Sequence, residues 1–102
     1  MDQPDPTIHQ PVRLKIMAAL KPLAESDAIE FVRLKDLAGA TDGNLGAHIA
    51  TLEDAGYVAI EKDFVGRKPR TRVSLTRKGR RAFEDYVAYL RAIIDASAAS
   101  GA

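Results

Sequence analysis

The chain has 102 residues, 46% hydrophobic and 28% charged, with a formal net charge of +1, two histidines and no cysteine. That length gives one domain with a modest core, and the missing cysteines exclude disulfides, thiolate metal sites and thiol redox sensing. No apolar run approaches the roughly twenty residues of a membrane helix, the acidic start MDQPDPT lacks the parts of a signal peptide, and the expected compartment is the cytoplasm.

In chain order, residues 1–7 read as a disordered tail. The folded domain is expected over residues 8–95, and ASAASGA, residues 96–102, as a flexible tail. Ile8, Val12, Ile16, Met17 and Leu20 recur at helical spacing, with Pro11 suited to a first turn and Pro22 ending the helix near Leu20. A short β-like triplet, Ile29 to Phe31, precedes a short helix carrying Val32, Leu34, Leu37 and Ala38 and stopped by Gly39.

TDGNLGAHIATLEDAGY predicts a further helix, capped by Thr41 or Asp42 and followed by a left-handed turn at Gly56. Its buried stripe is Leu45, Ile49 and Leu52, which leaves Gly43, Asn44, Ala47, His48 and Thr51 facing outward. YVAIEK and TRVSLT alternate as two strands of a hairpin. Its loop is expected over Asp63 to Arg70, with Phe64 and Val65 folding back on the body and GRKPR projecting. Pro69, lacking an N–H, suits such a loop better than a paired strand.

Thr76 caps the last helix. Its apolar stripe, Phe83, Tyr86, Val87, Leu90, Ile93 and Ile94, is longer than a small domain needs for anchorage. Part of it is therefore expected at a homodimer interface.

The small net charge conceals a split. Lys62 to Arg81 holds nine of the fifteen basic residues and a single acid, Asp63, for a local charge of +8, so the rest carries −7. Such a split points to a polyanionic partner on one face. A solvated surface is the bland alternative, disfavoured here because the run lies on a hairpin beside two consecutive helices. No Ser–His–Asp pattern and no phosphate-binding glycine loop is present, so neither an enzyme nor a cofactor is expected. His9 and His48 alone make no metal site. His9 reads as a helix-start or packing residue.

The order of helix, short strand, helix, helix, hairpin and helix is α+β but mainly helical, the arrangement of a winged helix–turn–helix with a two-stranded β-wing and a long C-terminal dimerisation helix. The pieces HQPVRLKIMAAL, FVRLKDLAGATDGNLGAHIATLEDAGYV and KDFVGRKPRTRVSLTRKGRRAF, from about Ile8 to Leu90, resemble small single-domain regulators of the MarR/ArsR-like winged-helix group. The resemblance implies a recognition helix whose Asp42, Gly43, Asn44, Ala47, His48 and Thr51 face DNA. It also implies a wing whose Arg67, Lys68, Arg70 and Arg72 meet phosphates or the minor groove, and a structural role for Arg13.

The chain departs from relatives at Gln10, Val32, Gly46 and Ala47, where hydroxyl, polar or basic residues are usual. The last two departures remove donors from the recognition helix. The expected function is a sequence-specific transcriptional regulator binding double-stranded DNA as a homodimer. The alternative is a winged-helix protein–protein interaction module without specific readout. The seam leaves room for a small-molecule effector, but nothing in the sequence calls for one.

Overall fold

The computed structural model describes residues 3–25 and 27–100. Ser26 of the turn before the first strand, and residues 1–2 and 101–102 of the two expected tails, lie outside the described residues. The elements are α1 (Pro11–Leu20), β1 (Ile29–Glu30), α2 (Phe31–Ala38), α3 (Asp42–Asp54), β2 (Val58–Val65), β3 (Lys68–Leu75) and α4 (Arg77–Ser100). The three strands form one antiparallel sheet in the order β1-β3-β2. Val73 sits at its centre, opposite Ile29 on one side and Ile60 on the other. Among the described residues no helix is long and apolar enough to cross a membrane.

Local chemistry explains the helix starts. Gln10 replaces a hydroxyl cap by offering its longer amide oxygen to the Arg13 N–H at 2.8 Å, while Pro11 occupies the first turn without losing a bond. Thr41 is the cap of α3, accepting from the Asn44 N–H at 3.2 Å. Glu30 precedes α2 without a side-chain cap, so Val32 is not a capping position. Phe31, expected in the strand, opens α2 instead. Gly39 and Gly56, with φ of 63° and 82°, make the left-handed turns after α2 and α3.

The core is shared by α1, α3, the first turns of α4 and one sheet face. Ile16, Met17, Leu20, Leu34, Leu45, Leu52 and Val73 are fully buried. Ile8 is buried too, but in the turn before α1. In α2 Leu34 and Ala38 are buried in this core and Phe31 packs half-buried against it, while Val32 and Leu37 are exposed. The stripe on α4 divides along its length. Phe83 and Tyr86, expected at a subunit interface, are core residues of the single chain. Val87 and Leu90 pack half-buried against that core, and Ile93 and Ile94 are 40% and 64% exposed.

Both expected tails are corrected in part. Asp5 accepts from the Thr7 N–H at 2.9 Å and from the Tyr57 hydroxyl, and its carbonyl accepts from the His9 N–H at 2.8 Å. The Nδ1 of His9 lies 2.8 Å from the Tyr86 hydroxyl, which docks this segment on α4. At the other end, α4 continues helical through Ser100.

The tightest junction joins the end of α3 to the start of α4. The Thr76 hydroxyl donates to the Gly56 carbonyl at 2.6 Å and accepts from the Gly79 N–H at 2.9 Å. The Thr76 N–H donates to the Tyr57 carbonyl at 3.0 Å. A Cβ on Gly79 would lie 2.0 Å from that same carbonyl oxygen, so only glycine fits. Arg80 extends the lock by donating to the carbonyls of Lys21 and Leu23 at 2.9 and 3.0 Å, just past the end of α1.

Gly79→Ala is therefore expected to destabilise the fold by about 3 kcal/mol. Gly46→Ala, whose Cβ meets nothing within 4 Å, should stabilise it by about 0.5–1 kcal/mol through helix propensity. Urea unfolding of the two variants measures both. Burial, with the hydrogen bond to Asp5 second, raises the Tyr57 hydroxyl from 10.0 to about 12. The stabilisation this represents is present below pH 10 and is lost as pH rises toward 12, because the unfolded chain gives up its proton first. The urea midpoint should fall across that interval, and Tyr57→Phe should flatten the fall.

Candidate nucleic-acid interface

The outer face of α3 exists because its other face is committed. Leu45, Ile49 and Leu52 are buried at steps of four and three, which leaves Gly43, Asn44, Ala47 and Thr51 exposed. The Asn44 side chain makes no protein hydrogen bond among the described residues, so its amide is available to an external partner. Thr51 donates its hydroxyl back to the Ala47 carbonyl at 3.2 Å and keeps only acceptor capacity. Gly43, Gly46 and Ala47 contribute shape without donors.

His48 is half-buried and held by α1. Its Nδ1 lies 3.1 Å from Nη1 of Arg13, whose Nε donates to the Thr7 carbonyl at 2.6 Å. A guanidinium only donates, so Nδ1 is the acceptor and the ring proton sits on Nε2. Arg13 thus ties the segment before α1 to α3, and it sets the polarity of His48, expected on the DNA-facing side. Asp42 belongs to another contact. Its carboxylate meets Lys35 Nζ at 2.9 Å, and that hydrogen bond, followed by Coulomb attraction, raises the Lys35 ammonium above its ordinary value. Asp42 therefore ties α2 to the first turn of α3, where a negative charge also complements the helix dipole.

The wing differs most from expectation. Its strands run to Val65 and from Lys68, leaving a two-residue turn at Gly66 and Arg67 rather than a loop from Asp63 to Arg70. Gly66 has φ of 64°, and among the described residues no non-glycine residue has positive φ. Those signs match the type II′ turn, which suits strand twist. Phe64 and Val65 do not fold back: they are strand residues, 70% and 57% exposed.

Pro69 is paired with Phe64 within the ladder. Antiparallel pairs alternate, so with Val65 and Lys68 closing the turn, the Phe64–Pro69 pair is of the non-hydrogen-bonded kind. The missing N–H of Pro69 then falls on the side that the short β1 never reaches.

Strand alternation sorts the wing into two faces. Val58, Ile60, Lys62 and Phe64 share one face with Pro69, Thr71, Val73 and Leu75. This face turns toward α3, where Ile60, Lys62 and Thr71 border a small cleft with Phe31, Gly46 and Ile49. It carries no acid. The opposite face holds Glu30, Glu61 and Asp63 with Arg70 and Arg72. Arg70 grips Asp63 through two bonds of 2.9 and 2.6 Å and lies 3.9 Å from Glu30. Arg72 reaches Glu61 at 3.4 Å and Asp63 at 3.5 Å, with its Nε buried and lacking a hydrogen-bond partner among the described residues.

The hydrogen bond from Arg70 holds the Asp63 carboxyl below the ordinary aspartate value. Arg70 and Arg72, expected at phosphates, are thus engaged with carboxylates on the far face. Arg67, Lys68 and Lys62 are exposed and have no carboxylate partner among the described residues. On α4, Arg77 pairs with Glu25 and Arg80 caps α1, so neither is an open cation. Lys62 and Phe64 are additions to the expected site. Their signal was the alternation of YVAIEK continuing through Asp63 to Val65 into a Gly-Arg turn.

Residues 12–94 match the family model of the winged helix DNA-binding domain. An uncharacterized protein of Methanocaldococcus jannaschii is 40% identical over 76 residues, covering 74% of this chain and 79% of its own length. A transcriptional regulator homologue of Pyrococcus horikoshii OT3 is 34% identical with a TM-score of 0.79, over 88% of this chain and 86% of that one. A MarR family regulator of Silicibacter pomeroyi shares the fold with a TM-score of 0.67 and 24% identity, over 86% of this chain and 56% of that one. The fold, the open helix face and these likenesses agree, and the chain belongs to the winged-helix DNA-binding domain family, a family of transcriptional regulators and not of enzymes.

Proposed function

We propose that the chain is a homodimeric regulator that reads specific double-stranded DNA, with α3 in the major groove and the wing along the flanking backbone. The observation that carries this reading is the side-by-side placement of the open α3 face and an acid-free wing face. A helix is the size that the major groove admits, and Lys62 on that wing face, with Arg67 and Lys68 at the turn, can each replace condensed counterions at a phosphate. Asn44 suits a bidentate contact to adenine. The His48 Nε2–H suits an acceptor on a base edge.

The dimer is supported by the far end of α4. Residues 91–98 are exposed, with Ile94 largely and Ile93 partly uncovered among the described residues. A two-fold pair would place two α3 helices on an inverted repeat. The competing reading, a protein-interaction module, draws on the smooth face left by Gly46 and Ala47.

Fluorescence anisotropy over a salt series, on genome-selected and random duplexes, separates the readings. Replacing Arg67 and Lys68 with Ala should weaken both duplexes alike and lower the salt slope by about 0.9 for each phosphate no longer neutralised. Arg70→Gln should change the slope far less, because that cation is already matched by Asp63, while weakening both duplexes alike by leaving Asp63 unmatched near the backbone. Asn44→Ala should cost about 1–3 kcal/mol on the selected duplex only. Absence of any salt-sensitive shift, with a protein partner co-purifying, would establish the interaction module instead. Ile94→Asp should shift the chain to monomers in sedimentation equilibrium and weaken binding to the full inverted repeat more than to a half-site.

A further inference from the structure

The wing tip carries an apolar feature that phosphate binding does not use. Phe64 is 70% exposed on a strand that has left the body of the domain. Its cross-strand partner is Pro69, in the pair class that brings side chains closest together. The ring is therefore backed by a rigid pyrrolidine and held at the end of a two-residue turn. A large exposed ring so held gains nothing for the fold. It shares its face with Lys62 and lies next to the Gly66–Arg67 turn, and the wing's acids, Glu61 and Asp63, lie on the opposite face beside Arg70 and Arg72. An aromatic wedge flanked by unmatched cations, on a surface cleared of carboxylates, is complementary to a polyanion with stacked apolar bases inside it. Beside the recognition helix, that is the minor groove of the same duplex.

We propose that Phe64, buttressed by Pro69, enters the minor groove next to the major groove occupied by α3 and partly unstacks a base step there. Lys62 and Arg67 hold the two phosphate walls. Apolar side chains that enter the minor groove in this way kink the duplex, and pyrimidine–purine steps deform most easily. The wing thereby adds selection for deformable sequence outside the bases that α3 contacts. This inference rests on the DNA-binding reading above.

The test uses the full chain and a short duplex selected by it from a random pool, with 2-aminopurine placed at successive steps and a donor–acceptor pair at the ends. The wild type should raise 2-aminopurine fluorescence at one step per half-site and shorten the end-to-end distance. Phe64→Ala, which removes only an exposed ring, should abolish both signals and weaken binding about tenfold, the loss expected for one aromatic–base contact, with the salt slope unchanged. Phe64→Leu should retain part of the distortion. Salt-dependent binding by the wild type with neither signal overturns the wedge and leaves the DNA reading standing. So does a Phe64→Ala variant that binds and bends like the wild type, or one that alters only self-association. Absence of salt-dependent binding by the wild type overturns both.

Discussion

The contact of Thr76 and Gly79 with Gly56 and Tyr57 sets the geometry on which the rest of the molecule depends. It lies where three elements meet: the end of α3, the root of the wing and the first turn of α4. The threonine hydroxyl satisfies the Gly56 carbonyl, just past the end of α3, and the Gly79 N–H, one of the donors that the start of α4 leaves without an intrahelical partner. Glycine at 79 lets two backbones approach closer than any side chain permits. Immediately beyond, the pairing of Val58 with Leu75 starts the hairpin, so the register of every later pair follows from this one contact. The angle between α3 and the hairpin is set by backbone groups and by one threonine hydroxyl held between them.

Charge on the wing follows from that register. In sequence the segment from Lys62 to Arg81 is a block of positive charge; folded, it separates into cations with different duties. Surface ion pairs contribute little to stability, so the cluster of Glu30, Glu61, Asp63, Arg70 and Arg72 is poorly explained as a staple. Its clearer consequence is electrostatic. An unmatched Asp63 close to the wing tip would repel phosphate, and the bidentate hold of Arg70 removes that charge from the field. Acid below the depressed carboxyl value would protonate Asp63 and free Arg70, so the pairing belongs to the neutral range.

The order of elements was legible because its signals are local. Leu45, Ile49 and Leu52 at helical spacing, Gly56 after the helix, and Thr76 with a glycine three residues on each announce a piece of backbone geometry. The alternation of Val58 and Ile60 against Val73 and Leu75 marked the hairpin. What the sequence concealed was pairing. Pro69 argued for a loop, yet a proline fits a strand when its nitrogen faces away from the neighbour, and that depends on a register no single residue displays. Once the turn is two residues long, Phe64 and Lys62 exchange places with Arg70 and Arg72 as candidates for contact. The division of the α4 stripe was hidden for a related reason: helical spacing shows which face is apolar, not how far along it the domain's own core extends. Asp5 and Arg80, which tie distant segments together, carry no periodic signal at all.

For the proposed DNA complex, the outer face of α3 sharpens the question of where specificity would reside. Gly43 and Gly46 each weaken a helix relative to alanine by about 0.5–1 kcal/mol, and neither is required by packing, since a Cβ at either position meets open space. Asp42 is held by Lys35 and Thr51 has turned its hydroxyl proton inward. That leaves the Asn44 amide and the His48 Nε2–H as the strong donors on the face, the latter set by Arg13. Two donors read few base pairs, so a site of useful length needs a second source of discrimination. In the proposed complex a smooth helix would let the backbone sit deep in the groove, where shape and thymine methyls are felt. The proposed wedge, by testing how easily the flanking step deforms, would supply the remainder without another hydrogen bond. On the proposed reading, sparse direct contact on α3 and an apolar wing tip are two parts of one arrangement, in which the duplex would be selected as much by its mechanics as by its base edges.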